Sequence, residues 1–166
     1  MRIFRFDEIG STSDFLKEKK DIKPYDIAIA KKQTKGRGQW EREWFSGEGG
    51  AWFTLVVPMD KKKDIEEYEG FTLDIAKIVI SVLKNKVDLK YRIKPPNDIY
   101  IYDKKLAGIL VEKVESYFYV GIGVNVNIKK VGRFDDIATS LYKETGREFV
   151  IDEIIFEIAK KVKEYK

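Results

Sequence analysis

The chain has 166 residues, 43% of them hydrophobic, and carries 32 Lys and Arg against 28 Asp and Glu, a net charge of +4. That length suits one domain with a core able to stand alone, and the mild basic excess, spread along the chain, suits anionic ligands without marking a nucleic-acid-binding tail. Cysteine and histidine are both absent, which excludes disulfides, thiolate zinc sites, Ser-His-Asp catalysis and imidazole metal ligands, so catalysis falls to Lys, Arg, Asp, Glu, Asn and backbone amides.

In chain order, RIFRFDEI alternates as a half-buried strand, and Ser11-Thr12-Ser13-Asp14 offers capping hydroxyls ahead of a helix over FLKEKK. YDIAIAKK is a second short strand. Lys31 to Phe53 follows as a loop holding five glycines and all three tryptophans. AWFTLVVP reads as a buried strand ended by Pro58. From about Ile65 to Val87, Phe71, Ile75, Val79 and Val82 recur at helical spacing and predict the long central helix. LKYRIK, a turn at PPND, IYIY, KLAGILVEKVES and YFYVGIGVNVNI then predict strands joined by short turns. Ile151, Ile155, Ile158 and Val162 form the apolar stripe of a closing helix. The order predicts an α+β fold, a mixed and mainly antiparallel sheet with helices packed on one face. No apolar run is long enough to span a bilayer and MRIFRFDEIG lacks the parts of a secretion signal, so a cytoplasmic location without a membrane partner is expected.

Four segments carry candidate chemistry. In QTKGRGQWEREW, Gly36 and Gly38 let backbone amides approach a phosphate or carboxylate and Arg37 supplies a positive fork between them; a glycine-rich hairpin with a solvated arginine fits the same residues. The absence of a following GKS or GKT excludes a nucleotide P-loop. In RIKPPNDIYIYDKKLAGILVE, two prolines frame Asn97 and Asp98, and Lys105 opens a small apolar stretch where its amine can pair with an anionic oxygen or simply blunt a strand edge. In VGIGVNVN, Gly121 and Gly123 mark either a β-bulge or a close ligand approach, and alternation puts Asn125 and Asn127 on one face for amide recognition. The hydroxyls of Gly10-Ser11-Thr12-Ser13 suit helix capping and a polar ligand head.

These motifs, in this order, together resemble the biotin protein ligases: Ser11-Thr12, QTKGRGQWEREWFSG, KPPNDIYIYDKKLAGILVE, VGIGVNVN and ATSLYKETG stand where that family has its consecutive signatures. The resemblance covers nearly the whole chain. It implies an enzyme that activates biotin with ATP and Mg2+ to biotinyl-5'-AMP and transfers biotin to a lysine of a biotin carboxyl carrier protein. By the same resemblance, Lys105, Arg37 and Asp98 are catalytic, the first two neutralising carboxylate and α-phosphate with help from the Gly36 and Gly38 amides, and Asp98 orienting or deprotonating the incoming amine. Ser11, Thr12, Gln33, Gly36, Arg37 and Lys105 would hold biotin, with Gly108, Gly121 and Gly123 leaving room for its body and tail. Arg37, Gly38, Trp44, Asn97, Lys105 and Asn125 would hold the nucleotide. The glycine loop would act as a lid, mobile when empty and ordered by the adenylate. No metal ligand is assigned.

The sequence departs from the family pattern in three places. Gln39 replaces a second loop arginine, with Trp40 and Glu41 after it, so weaker retention of the adenylate is expected unless Arg42 or Trp40 compensates. Pro95 replaces the tryptophan of the family's KWPND. Residues 1–166 are read as one catalytic domain, with neither an N-terminal helix-turn-helix nor a C-terminal SH3-like domain, hence no DNA partner. A homodimer joined at a strand edge is a further implication. Lipoate-protein ligase chemistry and a non-catalytic binding module on the same scaffold are the alternative readings; the QTKGRG, PPND and KLAGIL wording favours biotin.

Overall fold

The computed structural model describes residues 1–59 and 67–165. The chain runs β1 (Ile3–Ile9), α1 (Thr12–Glu18), β2 (Ile27–Gln33), β3 (Ala51–Pro58), α2 (Glu67–Lys86), β4 (Tyr91–Lys94), β5 (Asp98–Ile101), β6 (Lys104–Val114), β7 (Tyr117–Val124), α3 (Leu141–Thr145) and α4 (Ile151–Glu164). The predicted start of the long helix at Ile65 lies outside the described residues. Seven strands form one sheet in the order β1-β2-β3-β7-β6-β5-β4. Only β1 and β2 run parallel, because α1 is the crossover between them; every other neighbouring pair is antiparallel.

The strand sequences explain the layering. Ile27, Ile29, Phe53 and Leu55 point to one face, where they meet Ile75, Val79 and Leu83 of α2 and Ile154, Ile155 and Ile158 of α4 in the main core. Residues of the opposite alternation, Ala28 and Val56, meet Leu16 of α1 in a second cluster. β3 is therefore buried on both sides, which is why AWFTLVVP is a continuous apolar run instead of an alternating one. The two long helices share one face, as expected, while the short α1 takes the other.

That second face positions the site. Helix α1 packs mainly on β2, β3 and β7, with Phe15 edge-on to Phe4 and Phe6 of β1. The rest of the face, over β7, β6 and β5, is roofed by loops alone. Among the described residues no helix is long and apolar enough to cross a membrane.

Candidate active site

A cleft of about 230 Å³ opens on this loop-roofed face. Of the residues singled out from sequence for the site, all but Gly36 and Asn127 line it: Ser11, Thr12, Gln33, Arg37, Gly38, Trp44, Asn97, Asp98, Lys105, Gly108, Gly121, Gly123 and Asn125. Residues from five strands, one helix start and the glycine loop thus converge on one concavity.

One end is neutral and built from hydroxyls and an amide. Ser11 caps α1, accepting from the Asp14 amide at 3.3 Å. Gln33 Oε1 accepts from the Thr12 amide at 2.8 Å and from Thr12 Oγ1 at 3.0 Å, and Gln33 Nε2 donates to Ser46 Oγ at 3.1 Å. Thr12 Oγ1 also lies 2.9 Å from Thr54 Oγ1. Thr54 was missed from sequence, although a single hydroxyl inside AWFTLVVP was its signal. It lines the cleft, is 1% exposed, and stands opposite Gly121 in the sheet, where no side chain covers it.

The other end holds the charge and the aromatic ring. Lys105 is the second residue of β6, its amide donating to Ile137 O at 3.0 Å and its carbonyl accepting from the Thr139 amide at 2.9 Å. Lys105 Nζ is 2.8 Å from Asp98 Oδ1 and 4.9 Å from the centre of the Trp44 ring. Asp98 Oδ1 has no well-aligned hydrogen-bond donor despite that short distance, so the contact is one of charge. Two further buried polar atoms of the cleft have no partner, the Trp44 Nε1 donor and the Asn125 Oδ1 acceptor; Asn125 Nδ2 donates to Thr139 O at 2.9 Å. Native interiors seldom leave such atoms unpaired. Arg42 lines the mouth, exposed and without a carboxylate partner among the described residues.

Several of the sequence-predicted residues also have partners within the chain itself. The fork of Arg37 is already filled: Nη1 and Nη2 donate to the two oxygens of Asp14 at 2.9 and 2.8 Å, Nη2 donates to Glu112 at 3.0 and 3.2 Å, and Nη1 reaches Ser11 Oγ at 3.3 Å. It pins the loop to α1 and to β6. Burial lowers the basicity of this guanidinium, but its hydrogen bonds to Asp14 and Glu112 outweigh that and hold it above the ordinary range. Burial likewise pushes the Glu112 carboxyl up, and hydrogen bonds from Ser13, Arg37 and Lys17 outweigh it, leaving it below the ordinary range. Glu112 went unassigned from sequence, although it ends the KLAGILVE wording.

The loop glycines also serve packing. A Cβ on Gly36 would lie 2.3 Å from Ser46 Oγ and 2.7 Å from Trp44 O, so this glycine lets the loop fold against itself. The Gly38 amide is spent on Arg42 O at 2.7 Å. Gly108 and Gly123 make room for the Trp44 indole, since Cβ atoms there would lie 3.2 and 2.7 Å from it. Asn97 is tied to β6, donating to Ile109 O at 3.2 Å. Asn127 does not share the role of Asn125: β7 ends at Val124, and the Asn127 side chain exchanges two 2.8 Å hydrogen bonds with the Phe149 backbone.

The family described as "Biotin/lipoate A/B protein ligase family" matches residues 6–128. The chain is 35% identical over 153 residues to the "Bifunctional ligase/repressor BirA" of Bacillus subtilis, covering 84% of this chain and 46% of that protein. It is 33% identical over 129 residues to the protein of the same name from Escherichia coli, covering 74% and 40%. The chain thus spans about half the length of the curated relatives it matches. Among solved structures, "Biotin protein ligase from Aquifex aeolicus in complex with biotin and ATP" superposes with a TM-score of 0.88 at 31% identity, covering 98% of this chain and 69% of that one. The match over residues 6–128 takes in the α1 cap, the glycine loop, Asp98, Lys105 and the β7 glycines, and by it the chain belongs to the biotin/lipoate A/B protein ligase family.

Proposed function

We propose that this chain activates biotin with ATP and transfers it to a lysine of a biotin carboxyl carrier protein. The two-ended chemistry of one cleft carries this reading. Uncharged hydroxyls and an amide at one end suit a neutral ureido head, the Lys105 amine suits the carboxylate and α-phosphate, and the unpaired Trp44 and Asn125 atoms suit the donor and acceptor edge of a nucleobase. Gly121 and Gly123, which mark the two ends on β7, are two residues or about 7 Å apart along the strand. The Aquifex aeolicus neighbour, solved with biotin and ATP, supports the same pairing of ligands.

In the first step a biotin carboxylate oxygen attacks the α-phosphorus, the new P–O bond forms, and the bond to the β-phosphate oxygen breaks to release pyrophosphate. Two anions must meet, and the Lys105 ammonium lowers their repulsion in a partly desolvated site. Arg42, exposed on the cleft lining, adds cationic charge beside Gln39. Magnesium would enter as the counter-ion of ATP and would neutralise phosphate charge; Asp98 and Glu43 are the carboxylates lining the cleft that would hold it. In the second step the carrier amine attacks the anhydride carbonyl, an amide forms and AMP leaves, while Asp98 receives the proton of the incoming ammonium.

Calorimetric titration with biotin, and then with biotin in the presence of a non-hydrolysable ATP analogue, tests this. Tight biotin binding that strengthens with nucleotide is expected. Preference for lipoate would move the chain to the other branch of its family, and no binding of either acid would overturn the enzymatic reading.

A further inference from the structure

Glu112 lies on β6, the strand that also carries Lys105, yet its side chain serves a different part of the molecule. Its carboxylate accepts from Ser13 Oγ at 2.6 Å, from Lys17 Nζ at 3.0 Å and from Arg37 Nη2 at 3.0 Å. Ser13 and Lys17 belong to α1, whose start presents Ser11 and Thr12 to the cleft. Arg37 belongs to the loop that roofs it. Asp14 closes the ring, since Arg37 grips it with both nitrogens and Lys17 Nζ lies 3.2 Å away.

The loop has little else to hold it at this point. None of Gln39–Glu41 is buried, Trp40 is 84% exposed, and Trp40 and Glu41 both adopt left-handed backbone conformations (φ 59° and 57°). The contacts Trp44 amide to Gly36 O and Gly38 amide to Arg42 O join the loop only to itself. Its other side-chain ties lie toward its C-terminal end, where the Trp44 indole rests on Gly108 and Gly123 and Gln33 bonds Ser46, while Glu43 to Arg133 is an exposed ion pair, a kind worth little in water. Arg37, by contrast, is 14% exposed and bonded to two carboxylates on two other elements. Freeing it therefore loosens residues 36–43 without opening the hydrophobic cluster that holds Trp44 and Phe45.

We infer that Glu112 is a positioning residue that locks the glycine loop to the hydroxyl-bearing start of α1, and through that lock sets the affinity of the cleft for its acid substrate. The substrate half rests on the function proposed above; the lock itself does not.

The test separates the two. Native-state trypsin cleavage within residues 35–43, which needs no substrate, is expected to quicken about tenfold or more in Glu112→Gln, the loss of a charge-assisted bond being worth that much. Glu112→Asp, which keeps the charge but shortens the reach, should shift cleavage the same way if Glu112→Gln proves poorly folded. In Arg37→Met the loop is already freed, so adding Glu112→Gln should change cleavage little further. In biotin-dependent pyrophosphate exchange, KM for biotin should rise about tenfold while kcat falls much less. Unchanged cleavage in both Glu112 variants, or effects of Glu112 and Arg37 that simply add, overturns the lock. Faster cleavage with unchanged KM for biotin overturns its link to the substrate. A wild-type chain inert toward biotin would instead sink the proposed function and leave the cleavage result to decide the lock.

Discussion

Gly121 and Gly123 sit two residues apart on one strand, yet substituting each with alanine should have opposite consequences. A Cβ on Gly123 would lie 2.7 Å from Trp44 Nε1 and 3.0 Å from Cε2, distances at which something must move. The indole has little room to yield, since its far edge already rests on Gly108, where a Cβ would be 3.2 Å away, and Trp52 stands edge-on at 6.3 Å. Forcing a methyl into such a contact costs about 1–3 kcal/mol. For a chain of 166 residues, at about 2–4 °C per kcal/mol, the melting temperature should fall by about 2–12 °C. A Cβ on Gly121 meets Leu110 O at 3.4 Å and Thr54 Oγ1 at 3.7 Å, which are ordinary contacts. Gly121→Ala should therefore melt within about 2 °C of wild type, as substitutions without a steric conflict do. Its methyl occupies the hydroxyl end of the cleft, and biotin affinity should drop about 10–200-fold, the range for one methylene in a fitted pocket. Differential scanning calorimetry and biotin titration of both variants decide the matter. Equal melting temperatures would refute the placement of the indole, and undiminished binding to Gly121→Ala would refute the placement of the biotin head.

Other predictions concern charge and amides. The folded-state pKa values of Glu112 and Asp14 are lowered, so the stability they contribute is present above their ordinary values of 4.5 and 3.8 and is lost as pH falls through the lower folded values. Thermal scans from pH 7 to pH 2 should show wild type losing stability below about pH 4.5 more steeply than Glu112→Gln. Gln39→Arg should slow dissociation of the adenylate several-fold at low salt and less at high salt, read by rapid-mixing fluorescence; dissociation no slower than wild type would count against a retention role for this position. Asn127→Ala should cost about 1–3 kcal/mol by stranding the Phe149 backbone groups, with nucleotide affinity kept. Asn125→Ala should do the reverse, weakening nucleotide binding with a smaller effect on the melting temperature.

How much was legible depended on whether the informative contact was local. Alternation in β1, the helical spacing of Ile75, Val79 and Val82, and the Ser11 cap all concern neighbours in sequence, and each marked its element. Helix α3 has five residues, too few for any periodicity, and was not anticipated. The placement of α1 on the second face depends on which alternation of β2 and β3 it meets, which its own seven residues do not encode. In the cleft, residue types were legible but their engagements were not. Arg37 and Glu112 are 75 positions apart, so nothing in the spacing of GRG revealed that its guanidinium was already taken. Asn125 and Asn127 looked equivalent under two-residue alternation, a rule that holds only while the strand continues, and β7 stops at Val124. The strand glycines left β-bulge and close approach equally open, and at Gly108 and Gly123 what approaches is the chain's own tryptophan.

The central claim is that one amine, Lys105, offsets the repulsion between a biotin carboxylate and the α-phosphate of ATP. Isotope exchange between pyrophosphate and ATP, driven by biotin and measured in wild type and Lys105→Ala, tests it most directly. The account predicts biotin-dependent exchange in wild type, none driven by lipoate, and a loss of two or more orders of magnitude in Lys105→Ala with the fold intact, as expected when a preorganised charge is removed. Exchange that persists in Lys105→Ala at the wild-type rate would contradict it.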